Sequence, residues 1–166
     1  MSEQDVFRVA LYSSDRTVRA AVRRALGSRV AKDLPELDFE EFATPKALMR
    51  AMDAESFDLG IFDGESVPLG GMGLSMQVSD EIPYAPPIVV LVARQADAWL
   101  AAWSRAAAIS PFPVDPVDLP KIVEKVLRAD AEGGKMPLSS SAPEIIGGSS
   151  RHEGRPSDLP EGIVQN

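Results

Sequence analysis

The chain has 166 residues, of which 45% are hydrophobic and 25% charged, and this balance is typical of one soluble domain with an appendage. Its formal net charge of −8 at pH 7 repels nucleic acid phosphates, so DNA and RNA are excluded as expected partners. Because the sequence has no cysteine and a single histidine, His152, it excludes thiolate and histidine metal clusters and a Ser-His-Asp triad.

The amino-terminal part of the chain predicts a strand, a helix and a second strand. Residues 7–12, FRVALY, are an apolar run typical of a strand. Residues 13–15, SSD, can then cap a helix over residues 16–26, in which apolar residues recur at helical spacing, and Gly27 is a typical stop. Residues 37–42, LDFEEF, predict the next strand.

The middle of the chain continues this alternation. Residues 44 and 45, Thr-Pro, are typical of an N-cap and a first helical position, and they predict a helix that runs to about residue 54. Residues 57–62, FDLGIF, predict a strand that ends at Asp63. After a loop rich in glycine and proline, residues 73–82 predict another helix.

The remaining elements complete an α/β pattern. Residues 87–92, PIVVLV, are typical of a strand buried on both faces, and Asp97 can cap a helix that runs to about residue 107. Residues 109–114 contain two prolines and predict a weak edge strand, and residues 119–128 predict a last amphipathic helix. Five strands that alternate with five helices predict a doubly wound, five-stranded parallel sheet.

Residues 130–166 differ in composition from the domain predicted over residues 1–129. Sixteen of these 37 residues are Gly, Pro or Ser and apolar residues are sparse, so the segment cannot bury a core of its own. We predict an extended tail that becomes ordered only on a partner. The sequence shows neither a signal peptide nor a run of about 18 apolar residues, and we expect a cytoplasmic protein without direct membrane insertion.

The functional crevice of such a sheet lies at the carboxyl ends of its strands. The predicted strands are followed by Ser13, Ser14, Asp63, Ala93 and Asp115. From the residues alone, the two serines can be turn and cap residues and Asp63 a strand-end acceptor. Asp115 can be an exposed acid before a proline or a partner of Arg94.

Residues 6–128 resemble the receiver domain of two-component response regulators. The matches come in the family's order: a polar pair after the first strand, Asp63 after the third, Pro68 and Gly71 beyond it, and Val-Asp-Pro at residues 114–116. The resemblance implies a flavodoxin-like fold in which an aspartate accepts a phosphoryl group. It also implies an acid pair that holds magnesium, a lysine, and a Thr or Ser hydroxyl.

The resemblance makes Asp63 the phosphoacceptor, but the other chemical positions depart from the family. Ser13 and Ser14 stand in the places of the acid pair, Ala93 in that of the switch hydroxyl and Asp115 in that of the lysine. Two unit charges about 4 Å apart repel by about 4 kcal/mol at an effective dielectric near ~20, so Asp115 is expected to oppose a phosphoryl group.

These departures predict a phosphorylation-independent pseudo-receiver in which Asp63 is a vestigial phosphoacceptor. We expect no catalytic residue, no metal site and no cofactor, and the chain is not expected to be an enzyme. The alternative is a phospho-accepting single-domain response regulator in two-component signalling. A flavin-binding reading is also open, because hydroxyl-rich loops after a first strand can cradle phosphate, but no glycine-rich turn accompanies the serines.

Two surfaces are candidates for binding a partner protein. Trp99 and Trp103 are four residues apart and so share a helical face, where they either anchor a partner or cover the sheet. The resemblance favours the partner role, because this helix, the fifth strand and the last helix commonly dock partners in receivers. Phe112 matches the aromatic switch position of that surface.

The second candidate surface lies on the first helix. Its arginines fall mostly on the side opposite the apolar residues, and they are Arg16, Arg19, Arg23 and Arg24. This side of the helix is either a solvated face or a docking patch for an acidic surface.

Three segments are similar to a subgroup of actinobacterial orphan receivers: DGESVPLGGMGL at residues 63–74, AWLAAWSRA at residues 98–106 and PVDP at residues 113–116. Such receivers lack an output domain and an evident kinase, and one member is associated with mycobacterial respiratory complex I, the proton-pumping NADH dehydrogenase, as an accessory subunit. The resemblance therefore implies an accessory or regulatory subunit that binds the cytoplasmic arm of complex I, at the inner face of the plasma membrane.

Overall fold

The computed structural model describes residues 6–93 and 104–133. Their strands are β1 (Val6–Tyr12), β2 (Glu36–Phe42), β3 (Leu59–Asp63), β4 (Ile88–Val92) and β5 (Ala108–Pro111). Their helices are α1 (Arg16–Leu26), α2 (Pro45–Ala54), α3 (Gly71–Glu81) and α4 (Asp118–Ala131). All five predicted strands and four of the five predicted helices are therefore confirmed, with boundaries that differ by a few residues.

The strands form one parallel sheet in the order β2-β1-β3-β4-β5. The chain moves outward from β1 to β2, then crosses back over β1 to β3 and continues to the other edge. This reversal opens a crevice at the carboxyl ends of β1 and β3. The register aligns these ends, since Tyr12 lies opposite Phe62 in the β1–β3 pair and Asp63 opposite Leu91 in the β3–β4 pair.

Helices cover both faces of the sheet, as the alternation of its side chains requires. Along β1, Val9 and Leu11 belong to the core cluster that includes apolar residues of α1 and α4. Ala10 and Tyr12 belong to the cluster that includes residues of α2 and α3. The structure is thus the predicted doubly wound, flavodoxin-like fold.

Capping residues fix where the first helices begin and end. Asp15 Oδ1 accepts a hydrogen bond from the Thr17 backbone N at 2.8 Å, and Thr44 Oγ1 accepts one from the Ala47 N at 3.2 Å, as predicted. Gly27 ends α1 with a φ of 59°, a left-handed conformation that favours glycine. The capping predictions for α1 and α2 are confirmed.

The carboxyl-terminal half contains the clearest differences from the predicted elements. Of the helix predicted over residues 97–107, residues 97–103 lie outside the described part, and residues 104–107 form a turn into β5, with Arg105 at a φ of 60°. β5 ends at Pro111 instead of residue 114, since Pro113 has no N–H to continue the ladder. α4 runs to Ala131, two residues past the predicted domain boundary at 129.

Within residues 6–93 and 104–133, none of the helices is both long and apolar enough to cross a membrane. The predicted tail lies almost entirely outside the described residues.

Candidate functional site

The crevice between β1 and β3 is built around the carboxylate of Asp63. This residue ends β3 and is only 3% exposed. Its Oδ2 atom accepts a hydrogen bond from the Ser13 hydroxyl at 2.7 Å, and its Oδ1 atom accepts one from the Glu65 backbone N at 2.8 Å. The structure therefore brings Ser13 and Asp63 together, and both oxygens of the buried carboxylate have a donor from the chain itself.

Ser13 is buried, and both its backbone and its side chain are hydrogen-bonded. Its residue exposure is 0%, and its backbone N donates to the Phe42 carbonyl at 3.1 Å, which continues the β1–β2 pairing. The Ser13 Oγ atom donates its proton to Asp63 and accepts from the Asp15 N at 3.0 Å. Ser13 is therefore a turn residue whose hydroxyl both donates and accepts a hydrogen bond.

Ser14 faces the loop after β3. Its backbone N donates to the Ser66 Oγ at 3.0 Å, and its own Oγ accepts a long bond from the Val67 N at 3.4 Å. Asp15, the nearest acid in sequence, turns away to cap α1. The two positions that correspond to an acid pair thus hold serines that tie β1 to the neighbouring loops.

A magnesium site of the receiver type does not fit these residues. Magnesium prefers carboxylate and phosphate oxygens in an octahedral set, and residues 13 and 14 supply hydroxyl oxygens that are already hydrogen-bonded. Among the side chains of residues 6–93 and 104–133, no group of three or more acids or histidines is placed to hold a metal ion. The residues described around Asp63 therefore do not make a receiver-type cation site.

Three glycines hold the loop between β3 and α3 against the crevice. A Cβ atom on Gly64 would lie 2.4 Å from the Leu91 carbonyl oxygen, and one on Gly70 would lie 2.5 Å from the Gly64 oxygen. A Cβ on Gly71 would lie 2.9 Å from the Asp63 carbonyl carbon and oxygen. The backbone of the loop and of the first turn of α3 therefore packs directly on the strand ends, an approach that only glycine permits.

Tyr12, the last residue of β1, holds the same loop through its side chain. Its buried hydroxyl donates to the Leu69 carbonyl at 2.6 Å, and its ring meets Phe62 edge-on at 6.1 Å between centroids. Burial raises the pKa of Tyr12, the neighbouring Ser66 hydroxyl lowers it, and the negative charge of Asp63 raises it further. Tyr12 and Ser66 were missed by sequence reasoning, which treated the first as a strand residue and the second as part of a loop.

Glu65 bridges the ends of β3 and β4. Its exposed side chain accepts a long hydrogen bond from the Ala93 backbone N, with 3.4 Å between the Glu65 Oε1 and the nitrogen. Ala93, which follows β4 as predicted, offers no hydroxyl to a group bound at Asp63. The contact that Ala93 does make is a backbone contact to a carboxylate supplied by the loop.

The structure corrects the role expected for Asp115. The residue that follows β5 at the crevice edge is Phe112, whose N donates to the Val92 carbonyl at 3.0 Å. Asp115 lies at the start of α4, where its Oδ1 accepts from the Asp118 N at 2.9 Å and the Val117 N at 2.7 Å. These two backbone donors lower the pKa of Asp115.

Asp115 is therefore a helix cap. Its carboxylate is held by the first turn of α4, four residues beyond the last residue of β5, so we no longer expect it to repel a phosphoryl group at Asp63. Residues 108–120 contain no lysine or arginine, and no cation follows β5 in that stretch. Arg94, the partner considered for Asp115, lies outside the described residues.

The structure describes some of the candidate interface residues and leaves others outside the described part of the chain. Trp99 and Trp103 lie outside the described residues, and Phe112 is partly buried against the core cluster on the α1 and α4 side. On α1, the Arg19 Nε and the Arg23 Nη1 both donate to the Glu41 carboxylate, at 3.2 and 3.0 Å.

Arg19 also donates to the Ser13 carbonyl, and Arg23 stacks over the Phe39 ring at 5.5 Å. These two arginines are thus engaged by the domain itself, whereas Arg16 and Arg24 are exposed. The docking patch for an acidic surface stays a prediction, and Arg23 is 53% exposed beside its ion pair.

Comparison with known proteins identifies relatives by sequence and by fold. An uncharacterized response regulatory protein of Mycobacterium tuberculosis, present in two strains, is 48% identical over 124 residues, which cover 75% of this chain and 93% of that protein. No protein-family model matches the chain.

Solved structures show the same fold at low identity. A CheY-like receiver domain protein of Methanospirillum hungatei superposes with a TM-score of 0.62 at 18% identity, covering 78% of this chain and 99% of that one. A LuxR-family two-component response regulator of Aurantimonas sp. gives a TM-score of 0.66 at 20% identity, with 84% and 95% covered. At these identities the structures establish the fold alone.

Proposed function

The chain belongs to the response-regulator family as a receiver domain, and from this premise we propose that it is a pseudo-receiver, a protein-binding module that acts without phosphorylation. The observation that carries the proposal is the hydrogen bond from the Ser13 hydroxyl to Asp63 Oδ2, at 2.7 Å. A serine stands where the family's chemistry needs an acid, and its proton satisfies the carboxylate that would otherwise attack phosphorus.

The electrostatics of the crevice support this proposal. Phosphoryl transfer to a carboxylate places about two negative charges beside the strand ends, and catalysis of that transfer depends on cations positioned in advance. Here the acid pair is replaced by Ser13 and Ser14, Ala93 has no hydroxyl, and residues 108–120 contain no cation. Glu65, placed between β3 and β4, adds a negative charge at the same edge.

We further propose that the partner is the cytoplasmic arm of respiratory complex I, on which the protein acts as an accessory or regulatory subunit. The support is the similarity of three segments to actinobacterial orphan receivers, together with an acidic composition that disfavours nucleic acid. The protein would then be cytoplasmic and lie at the inner face of the plasma membrane through its partner, with residues 130–166 ordered on a neighbouring subunit.

Phosphorylation is tested by incubating the purified chain with acetyl phosphate and magnesium and measuring its intact mass. We expect no adduct on the wild-type chain. The control is Asp63→Asn, which removes the carboxylate of the last residue of β3. A phosphoryl adduct that forms on the wild type and disappears in this variant would refute the pseudo-receiver.

The partner is tested by affinity purification of the tagged chain from native membranes. Co-purification with subunits of the NADH dehydrogenase is expected. Recovery of the chain as a free monomer would argue against complex I.

The alternative function, a phospho-accepting single-domain response regulator, is favoured by one observation, the retained Asp63 at the end of β3. The acetyl phosphate experiment decides between the two functions. The absence of a flavin stays a prediction, and the visible absorbance of the purified chain tests it.

A further inference from the structure

The amino-terminal edge of the sheet, opposite the Asp63 crevice, carries a fully exposed aromatic ring. Tyr84 lies in the loop between α3 and β4, and its exposure is 102%. Its φ of 56° is in the left-handed region, where bulky residues are uncommon. Pro83, Pro86 and Pro87 restrict the same loop. The backbone therefore presents the ring to solvent with few conformations to lose on binding. A low loss of conformational entropy is what favours an exposed aromatic residue as an interface anchor.

Two hollows flank this ring, and Tyr84 lines both of them. The smaller, of about 300 Å3, lies beside the loop after α2 and is lined by Phe57 and Ile82 among others. The larger, of about 620 Å3, lies between the end of α3, the start of β5 and the last turns of α4, where Ala106 and Val126 line it. A knob between two partly apolar depressions can interlock with side chains of a partner on both sides.

The charges at the hollows indicate which partner fits them. Asp53 lines the smaller hollow and Asp130 the larger, and neither has a cationic partner among the side chains of the described ranges. Arg105, the cation that lines the larger hollow, is already paired with Asp80. Burial and the negative charge of Asp58 raise the pKa of Asp130, so this carboxylate lies in a region of negative potential. A basic segment would relieve that potential, and an acidic one would add to it.

We propose that Tyr84 and its two hollows, the Tyr84 surface, dock a protein whose contacting segment is apolar and basic. Apolar side chains of the partner enter the hollows on either side of the ring, and Lys or Arg side chains lie against Asp53 and Asp130. The proposal rests on the proposed function, because it names the docking face of the same protein-binding module. Docking at this edge does not involve the Asp63 crevice, so it needs no phosphoryl group.

The experiment uses the full chain, labelled for NMR, and two synthetic amphipathic peptides of equal length as probes. Both peptides carry the same Leu and Phe residues, with Lys between them in one and Glu in the other. The Lys peptide is expected to shift the backbone resonances of residues 53–57, 82–87 and 105–107. Added salt is expected to weaken its binding, because salt screens the charges. The Glu peptide is expected not to bind.

Matched variants identify the anchor. Tyr84→Asn removes the ring, and asparagine tolerates a left-handed φ, so the loop is preserved. This variant is expected to lower the affinity for the Lys peptide by at least about tenfold, the effect typical of a lost aromatic hot spot. The control is Val117→Ala, which trims a side chain that is 59% exposed at the opposite edge, and it is expected to leave the affinity unchanged.

Equal binding of the two peptides, shifts confined to α1 or the Asp63 crevice, or an unchanged affinity of Tyr84→Asn would overturn the Tyr84 surface. Failure of this proposal is distinguishable from failure of the proposed function. A phosphoryl adduct on Asp63 refutes the pseudo-receiver and leaves the peptide result standing, whereas absent peptide binding without an adduct refutes the Tyr84 surface alone.

Discussion

The hydrogen bond from Ser13 to Asp63 can be removed by a single substitution, Ser13→Ala. The bond is made to a carboxylate at 2.7 Å, and hydrogen bonds to charged groups contribute about 1.5–3 kcal/mol. The Ser13 Oγ atom also accepts a hydrogen bond from the Asp15 N, a neutral bond that contributes about 0.5–1.5 kcal/mol. Because Ser13 is 0% exposed, water cannot replace either contact without a local opening. We expect Ser13→Ala to lower the free energy of unfolding by about 2–4.5 kcal/mol.

Urea denaturation followed by circular dichroism measures this loss, and Ser14→Ala is the matched control. The Ser14 hydroxyl is exposed and accepts only a 3.4 Å bond, so its removal is expected to cost less than about 0.5 kcal/mol. A loss below about 1 kcal/mol for Ser13→Ala, or equal losses for the two variants, would show that the hydroxyl does not hold the Asp63 carboxylate.

Replacing the hydroxyl by an acid extends the same reasoning to magnesium. Ser13→Asp places a second carboxylate beside Asp63, and two charges about 4 Å apart repel by about 4 kcal/mol at an effective dielectric near ~20. This variant is expected to be less stable than Ser13→Ala in EDTA and to regain stability when magnesium is added. The wild type, whose crevice is closed by hydroxyls, is expected to unfold at the same urea concentration with and without magnesium. A wild type that magnesium stabilises as strongly as the variant would refute the account of the crevice.

Four further variants test the packing and charge of the domain by denaturation. Gly64→Ala is expected to cost more than about 3 kcal/mol because its Cβ would lie 2.4 Å from the Leu91 oxygen, whereas Gly73→Ala meets only a flexible side-chain end and is expected to change stability by less than about 1 kcal/mol. Since backbone donors lower the pKa of Asp115, its contribution is present above the unfolded pKa and is lost as the pH falls through the folded one, so Asp115→Ala is expected to weaken the acid dependence of stability. Burial and Asp58 raise the pKa of Asp130, so its ionisation opposes folding, and Asp130→Asn is expected to stabilise the chain at pH 7 more than at pH 3.

The fold could be predicted because local signals and the global pattern agree in most of the chain. Apolar runs mark β3 and β4, which are buried along their whole length, and capping residues mark the starts of α1 and α2. The prediction failed where signals compete. In residues 104–107, alanines and an arginine favour a helix by propensity, but the structure forms a turn into β5.

The site could be predicted only as a set of strand ends. Ser13 and Asp63 were placed at one edge because the topology requires it, but the bond between them joins residues 50 apart in sequence. Tyr12 and Leu69, which are 57 apart, left no periodic signal at all. The glycines at residues 64, 70 and 71 did leave a signal, since several glycines in one loop indicate close backbone approach.

Asp115 shows why a motif needs its structural position. The triplet Val-Asp-Pro suggests the end of a strand, yet β5 ends at Pro111 and the acid caps α4. An aspartate shortly before a helix is among the strongest N-terminal signals, and it competed here with the family pattern. The correction changes the support for the proposed pseudo-receiver: residues 108–120 supply no cation after β5, serines replace the acid pair, and no second carboxylate at the end of β5 is part of the reasoning.

In a phosphorylated receiver, changes at the crevice must be transmitted to distant surfaces through a bistable element. Here the ends of β1 and β3 and the loop before α3 are joined by hydroxyl contacts from Tyr12, Ser13 and Ser66, and the loop backbone at its glycines packs directly on the strand ends. A closed network of this kind favours one conformation, because breaking any contact leaves a buried polar group unpaired. Under the proposed function, a domain held in one conformation would present the Tyr84 surface, at the other edge of the sheet, without a phosphorylation signal.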